Sequence, residues 1–298
     1  MACRFEILLP ATAGVAVAAA RTALEQADRI ELAWSVFRDD SQLSQLNQAA
    51  AAGPVPLDAE LGALLVRCRR LSEATDGAFD ITATPLSRCW RLLQRAGQVP
   101  GPEALAEARG RIGHHLVEIR AGGASGATVR FTRPGVELNL GAIGKGYAVG
   151  RIAADLRQGG VAEALVSAGD SSVEAVGAPS GGWPIALRGH DARARLWLSH
   201  GAVATSGAGE QGFEHNGERL GHVLDPRTGW PARGVSRVLV AAPDAADADA
   251  LATAFVVGGP ALADRYLAGH DDVLVVFSMD GSSRPRIMGR ASGATVEV

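Results

Sequence analysis

The sequence predicts an α+β fold whose sheets are largely antiparallel and packed with helices. Two observations predict it. Segments with strand character come in pairs whose connections are too short for the crossover that parallel pairing needs. Around them lie stretches with helical spacing, several opened by a capping residue and closed by glycine. No internal repeat or low-complexity linker divides the 298 residues, so a single domain over 1–298 is expected.

Arg4–Leu9 reads as the first strand. Leu24, Ala27, Ile30 and Trp34 recur at helical spacing in a helix expected over Gly14–Val36. Ser41 suits the N-cap of a short helix through Leu46. Asp58 suits the cap of a helix carrying Leu61, Leu64, Leu65, Cys68 and Leu71, which stops at Asp76-Gly77. A Gly/Pro-rich stretch, Gly97–Pro102, precedes a helix over Glu103–Arg109. Strands are expected at Leu116–Arg120, Thr128–Phe131 and Val136–Leu140, then a helix over Tyr147–Arg157 ended by Gly159-Gly160. Strands follow at Ala164–Ser167, Ser172–Val176, Pro184–Leu187, Ala194–Leu198, His222–Leu224 and Arg237–Ala241. A helix over Asp247–Val257 ends in Gly258-Gly259, and Val273–Phe277 and Arg286–Met288 close the chain as strands.

Composition narrows the function. Hydrophobic residues make up 47% and charged residues 20%, ordinary for a soluble globular chain. A net charge of −3 gives no electrostatic ground for a nucleic-acid or anionic-membrane partner. No run approaches the roughly 20 apolar residues that span a bilayer, so no membrane insertion is expected. Ile7–Ala20 has some look of an export signal, but Glu6, the single positive charge of Arg4 and the mid-stretch Pro10 argue against one. Cys3, Cys68 and Cys89 are odd in number and lack metal-ligand spacing, which reads as reduced thiols. A cytoplasmic location is the expectation. Lys145 is the sole lysine among many arginines, as if a compact ammonium does there what a planar guanidinium cannot.

Four segments carry chemistry. Glu137–Val149 runs from a strand through glycines 141, 144 and 146 into a helix. Close backbone approach and free N–H groups suit a phosphate, with Lys145 in reach; a tight strand-to-helix turn with an exposed lysine is the alternative. Asp249 and Thr253 are four apart and share a helix face, offering hard oxygens to magnesium; acidic residues at a helix start also serve the cap and the dipole. His222-Val-Leu-Asp-Pro-Arg-Thr-Gly-Trp230 puts a histidine before a tight turn, as a general base or as a turn residue. Thr75–Thr82 offers Phe79 for stacking and Asp80 as an acceptor, or a core aromatic and a turn aspartate. Thr205 and Ser206, in Ala204–Gly207, add hydroxyls suited to phosphate or to ring edges.

In this order these segments resemble the ApbE family of FAD:protein FMN transferases, from Arg4 to about Gly259. The marks are Ser41-Gln-Leu-Ser-Gln-Leu-Asn47, Gly77-Ala-Phe-Asp80, Lys145-Gly-Tyr-Ala148, Thr205-Ser-Gly207, His222-Val-Leu-Asp-Pro-Arg-Thr-Gly229 and Asp249-Ala-Leu-Ala-Thr253. The resemblance implies a T-fold-like architecture and magnesium-dependent transfer of FMN from FAD to a Thr or Ser hydroxyl of an acceptor flavoprotein, with release of AMP. FAD hydrolysis to FMN and AMP, and non-catalytic flavin binding, are the alternatives.

By the same resemblance Ala78, Phe79, Asp80 and Val223 contact FAD, and Lys145 lies on its phosphate side. The Ala142 carbonyl, Asp249 and Thr253 hold magnesium, and His222 helps activate the acceptor hydroxyl. Asn139 stands where many members have Asp, keeping an acceptor oxygen for ribose or adenine. Phe37 stands where a stacking Tyr is common. At Gly169-Asp170-Ser171-Ser172 the usual glycine pair is broken, and Asp170 is expected to tolerate the left-handed turn. Many members are secreted or lipid-anchored; this sequence shows no lipobox cysteine before the first strand.

Overall fold

The computed structural model describes residues 3–298 apart from 12, 13, 15, 95, 122–126, 188–193 and 208–211. Residue 15, within the first expected helix, lies outside the described residues. Along the chain, β1 (Phe5–Leu8), α1 (Ala16–Trp34), α2 (Gln42–Ala49), β2 (Val55–Leu57), α3 (Ala59–Ala74), α4 (Thr84–Cys89), α5 (Pro102–Arg109), β3 (Val117–Ala121) and β4 (Ala127–Phe131) come first. Then follow α6 (Gly144–Gln158), β5 (Ala164–Ala168), β6 (Ser172–Val176), β7 (Trp183–Ala186), β8 (Arg195–Leu198) and β9 (Gly201–Gly207). The remainder is β10 (Gly212–His215), β11 (Glu218–Gly221), β12 (Val235–Ala242), α7 (Ala245–Leu267), β13 (Val273–Met279), β14 (Arg286–Arg290) and β15 (Ala294–Glu297). Two compact units result, one from Met1–Glu31, Gly141–Gly207 and Arg233–Val298, the other from Leu32–Leu140 and Ala208–Ala232.

The first unit is built on a seven-stranded sheet in the order β1-β5-β6-β9-β12-β13-β14. Every named strand pair in the protein is antiparallel, as the short connections predict. Side chains alternate across such a sheet. Val166, Ala168, Val176 and Ala202 face one side, where Ala20, Ala23 and Ala27 of α1 and Val149, Ile152 and Leu156 of α6 cover them. Leu165, Val203, Leu239 and Val276 face the other, beneath Leu196 and Leu198 of the small sheet β15-β8-β7. Burial of this two-sided apolar surface supplies the main drive to fold.

The second unit carries the sheet β2-β4-β3, the hairpin β10-β11 and helices α2 to α5. Ser41 caps α2 through its side chain to Ser44 N, and Asp58 caps α3 through Leu61 N at 2.7 Å. The chain leaves α3 through two left-handed residues, Asp76 and Gly77, as the Asp-Gly pair foretells.

Several boundaries differ from expectation. Val136–Leu140 joins no ladder, because the amide of Asn47 takes the place of a neighbouring strand: Leu138 N–H donates to Asn47 Oδ1 at 2.8 Å and Asn47 Nδ2 donates to Leu138 O at 2.9 Å. His222–Leu224 forms only an isolated bridge, Leu224 to Pro231. The first helical stretch of α7 does end at Gly258-Gly259, where Gly259 is non-helical (φ 62°, ψ −167°), but Pro260 at once opens a second stretch to Leu267. At Gly169–Ser172 the left-handed position falls to Gly169 (φ 54°), so Asp170 bears no such strain.

Helix α6 begins at Gly144, three residues earlier than its apolar spacing suggests, so the glycine-rich turn is its first turn. Gly146 there lies against α7. A Cβ on it would overlap the Ala245 carbonyl oxygen and sit 2.8 Å from Asp249 Cβ. Gly150, one turn on, has 3.4 Å to its nearest atom, Glu174 Oε2. Gly146→Ala is therefore expected to cost about 2–3 kcal/mol of stability and Gly150→Ala far less, measured by urea unfolding of the two variants. Equal midpoints would show that the α6–α7 contact relaxes freely.

Candidate active site

In the first unit Lys145, Asp249 and Thr253, three of the candidate residues, gather where α6 starts beside α7. Asp244 takes the N-cap of α7, accepting from Ala246 N at 2.7 Å and Asp247 N at 3.2 Å. That leaves Asp249, in the second turn, for another task. Its side chain is 2% exposed, and burying a carboxylate demands compensation. Two groups supply it. Gly146 N–H, in the first turn of α6, donates to Oδ2 at 3.0 Å, and Lys145 Nζ lies 3.4 and 3.5 Å from the two oxygens. The positive end of α6 adds its dipole. One turn along α7, Thr253 Oγ1 lies 3.0 Å from Ser206 Oγ on β9 and 3.4 Å from the Asp249 carbonyl oxygen. Ala142 sits in the turn just before α6, at the same helix start as Lys145 and Gly146.

Sequence reasoning treats Thr205 and Ser206 as a pair. The strand separates them, because neighbours on β9 point to opposite faces. Ser206 meets Thr253, whereas Thr205 lines a cleft of ≈ 490 Å³ on the other face with Asp170, Ser171, Arg237 and Leu239. In this unit Cys3 is a neighbour of the cluster that motif reading missed. Burial pushes its thiol above the usual range, with Lys145 opposing and Asp249 adding to the rise.

The donors fit a hard divalent cation. Asp249 offers a carboxylate and Thr253 a hydroxyl on one helix face, all oxygen, with a single negative charge. Among the described residues no group of three or more His, Cys, Asp and Glu could hold a metal. Magnesium takes few protein carboxylates and fills its shell with water and substrate phosphate, so this sparse set suits it.

The second unit holds the other candidates, and most of their polar atoms are spent on backbone. Asp80 Oδ1 accepts from Thr82 N (2.8 Å) and Thr82 Oγ1 (2.6 Å), and its Oδ2 accepts from His114 N (3.0 Å). Thr82 Oγ1 in turn accepts from Gly113 N at 2.7 Å. Phe79 is 1% exposed and Ala78 2%, so the Phe79 ring packs as core and presents no face for stacking. Phe37, at 76%, does present one. Asn139 N donates to Ile81 O at 2.8 Å, tying it to the Asp80 segment. Arg88 and Glu137 add a bidentate pair at 2.7 and 2.6 Å.

His222 and Val223 open a turn held from several sides. Asp225 N–H donates to Trp230 O at 2.8 Å, and Ala232 N–H to Val223 O at 2.9 Å. Asp225 also chelates the Arg227 guanidinium at 2.8 and 2.9 Å. That bond raises the Arg227 pKa, against burial. Trp90, fully buried, donates from Nε1 to Gly229 O at 2.8 Å, and Arg109 donates to Arg227 O at 2.7 Å. No motif points to Trp90 or Arg109: Trp90 follows the last residue of α4 and Arg109 is the last of α5, and each has its partner more than a hundred positions away.

The profile of the ApbE family matches residues 1–277. The chain belongs to the ApbE family. A protein of Treponema pallidum named FAD:protein FMN transferase is 37% identical over 246 residues, spanning 76% of this chain and 68% of that protein. One of Escherichia coli K12 with the same name is 28% identical over 271 residues, 87% and 76% of the two chains. Among solved structures, an ApbE protein of Thermotoga maritima superposes with a TM-score of 0.82 at 30% identity, covering 97% of this chain and 93% of that one. The flavin transferase ApbE of Vibrio cholerae gives 0.80 at 25%, covering 98% and 95%. The α+β, antiparallel architecture is thus the ApbE fold.

Asn47, the last residue of the ApbE-like Ser-x-Leu-Ser-x-Leu-Asn helix, is the one whose role the structure makes plain. Asn47→Ala is expected to remove both bonds to Leu138, costing about 1–3 kcal/mol and leaving that peptide unpaired. Hydrogen exchange at the Leu138 amide should then quicken well beyond that of the β3–β4 ladder; unchanged protection would assign the segment's order to other contacts.

Proposed function

We propose that the protein is an FAD:protein FMN transferase that moves FMN from FAD to a Thr or Ser hydroxyl of an acceptor protein, with magnesium bound, and releases AMP. The observation that supports this most is the buried Asp249 carboxylate at the start of α6, with Thr253 one turn away and the only lysine beside it, in a chain of the ApbE family. Relatives carrying the name FAD:protein FMN transferase support the substrate.

Each residue then has a task. Asp249, Thr253 and the Ala142 carbonyl would hold the cation, which would supply positive charge at the pyrophosphate. Lys145 and the N–H groups of the first turn of α6 bind phosphate oxygens. Phe37 stacks on a ring of FAD, while Ala78, Asp80, Asn139 and Val223 border the nucleotide largely through backbone. His222 takes the proton of the acceptor hydroxyl as its oxygen forms a bond to the FMN-side phosphorus. The bond from that phosphorus to the bridging oxygen breaks, and AMP leaves with the electron pair. The protein shifts the acceptor's hydroxyl into a phosphoester without any redox change in the flavin.

Among the described residues no helix is long and apolar enough to cross a membrane, and the reading needs none.

The deciding measurement is AMP release with and without an acceptor protein. Transfer predicts release only with acceptor; equal release without it assigns the protein to FAD hydrolysis, and none at all with FAD bound assigns it to flavin binding. Chelator and Asp249→Ala should each abolish release, and Thr253→Val should lower it less. His222→Ala should slow transfer by about 10²–10⁴-fold with FAD affinity nearly intact. Transfer within a few-fold of the parent would return His222 to its turn.

Aromatic roles separate cleanly. Phe37→Ala should weaken FAD binding by about 1–3 kcal/mol with stability unchanged. Phe79→Ala should instead cost about 3–5 kcal/mol of stability, as loss of a buried ring does. Titration with FAD alongside thermal unfolding distinguishes the two, and the opposite pattern would restore Phe79 as the stacking ring.

A further inference from the structure

We propose that Lys145 is a displaceable counter-ion: its ammonium holds the place of the divalent cation on Asp249 and yields it to the metal by moving onto phosphate, so that metal and FAD are taken up cooperatively. The inference rests on the reading of Asp249 as a metal ligand and goes beyond it by assigning Lys145 two successive partners.

Three features of the ion pair carry it. Lys145 Nζ straddles the Asp249 carboxylate at 3.4 and 3.5 Å, longer than the about 2.7–2.9 Å of a charge-assisted hydrogen bond. The contact is thus one of charge rather than of a fixed bond. The firmer bond on that carboxylate, 3.0 Å from Gly146 N–H, is to backbone and stays when the ammonium leaves. Exposure is unequal: the Asp249 side chain is 2% exposed and that of Lys145 26%, so the carboxylate is fixed and the ammonium has a way out. A dication bound to the same two oxygens would lie in contact with the ammonium, and like charges at that range repel strongly where water is scarce. One must go.

The stem of Lys145 springs from the first turn of α6, whose N–H groups favour an anion. A phosphate arriving there gives the displaced ammonium a second partner close to its first. Lysine suits such an exchange. It is a point charge on four rotatable carbons, whereas arginine, which supplies the rest of the chain's Lys and Arg, presents a planar fork. Each ligand then removes a cost the other would meet alone, which is positive coupling.

The chain offers a direct probe, because Lys145 is its only lysine. Protein labelled with ¹³C,¹⁵N-lysine gives one side-chain ε resonance. In metal-free protein that resonance should move with Asp249→Asn. Saturating Mg²⁺ without FAD should shift it towards the position of free lysine, and adding FAD should send it to a third position. Mn²⁺ binding, read by electron paramagnetic resonance without FAD, should be about tenfold tighter in Lys145→Met than in the parent. A lysine resonance that ignores Mg²⁺, while Asp249→Asn abolishes Mn²⁺ binding, overturns the exchange and leaves the metal site standing. Mn²⁺ binding that survives Asp249→Asn overturns the metal reading itself, and the exchange with it.

Discussion

The close approach of α6 and α7 at Gly146 is the constraint on which the Asp249 cluster depends. A side chain at that position would push the two helices apart through the Ala245 carbonyl. Without one, the first turn of α6 lies against the second turn of α7, and the Gly146 N–H reaches the Asp249 carboxylate. A carboxylate can then be buried with partners, because a helix terminus and an ammonium face it. The register of β9 completes the arrangement by presenting Ser206 to Thr253. Specific groups are held by packing of backbone on backbone, which leaves little freedom for their positions to drift.

The second unit solves the same problem differently. Its polar side chains serve as substitutes for secondary structure. Asp80 and Thr82 together bind the peptides of residues 82, 113 and 114. Asn47 acts as a one-rung strand for Leu138. Trp90 and Arg109 reach across to the carbonyls of the turn after His222. Buried or half-buried polar groups paired in this way specify one conformation of irregular backbone, where no ladder or helix would.

Much of this was legible in the sequence where local rules decide it. The caps at Ser41 and Asp58, the Asp76-Gly77 exit and the antiparallel pairing follow from neighbouring residues. Legibility fails where a distant group intervenes. Val136–Leu140 has the composition of a strand, and only Asn47, far away in sequence, makes it something else. Gly258-Gly259 reads as a helix end, yet Pro260 restarts a helix at once. The hairpin β10-β11 is short and mostly exposed, so it has little apolar alternation to show. In the site, the pairing of Asp249 with Thr253 is visible because four residues make a turn. The split of Thr205 from Ser206 requires knowing that the segment is a strand, and the contrast of Phe37 with Phe79 requires burial, which spacing does not supply.

The amide of Asn47 has a consequence for self-association. Val136–Leu140 is an extended, largely apolar run, and an extended run with open peptide groups is a template on which a second chain can add. Asn47 occupies both backbone hydrogen-bonding groups of Leu138, and Ile81 O takes the Asn139 N–H. Three of the groups that would recruit a foreign strand are thus already taken within the same unit. A single asparagine on a neighbouring helix thereby keeps a sticky segment in the service of its own molecule, and its loss would open a route to fibrous aggregation as well as to local disorder.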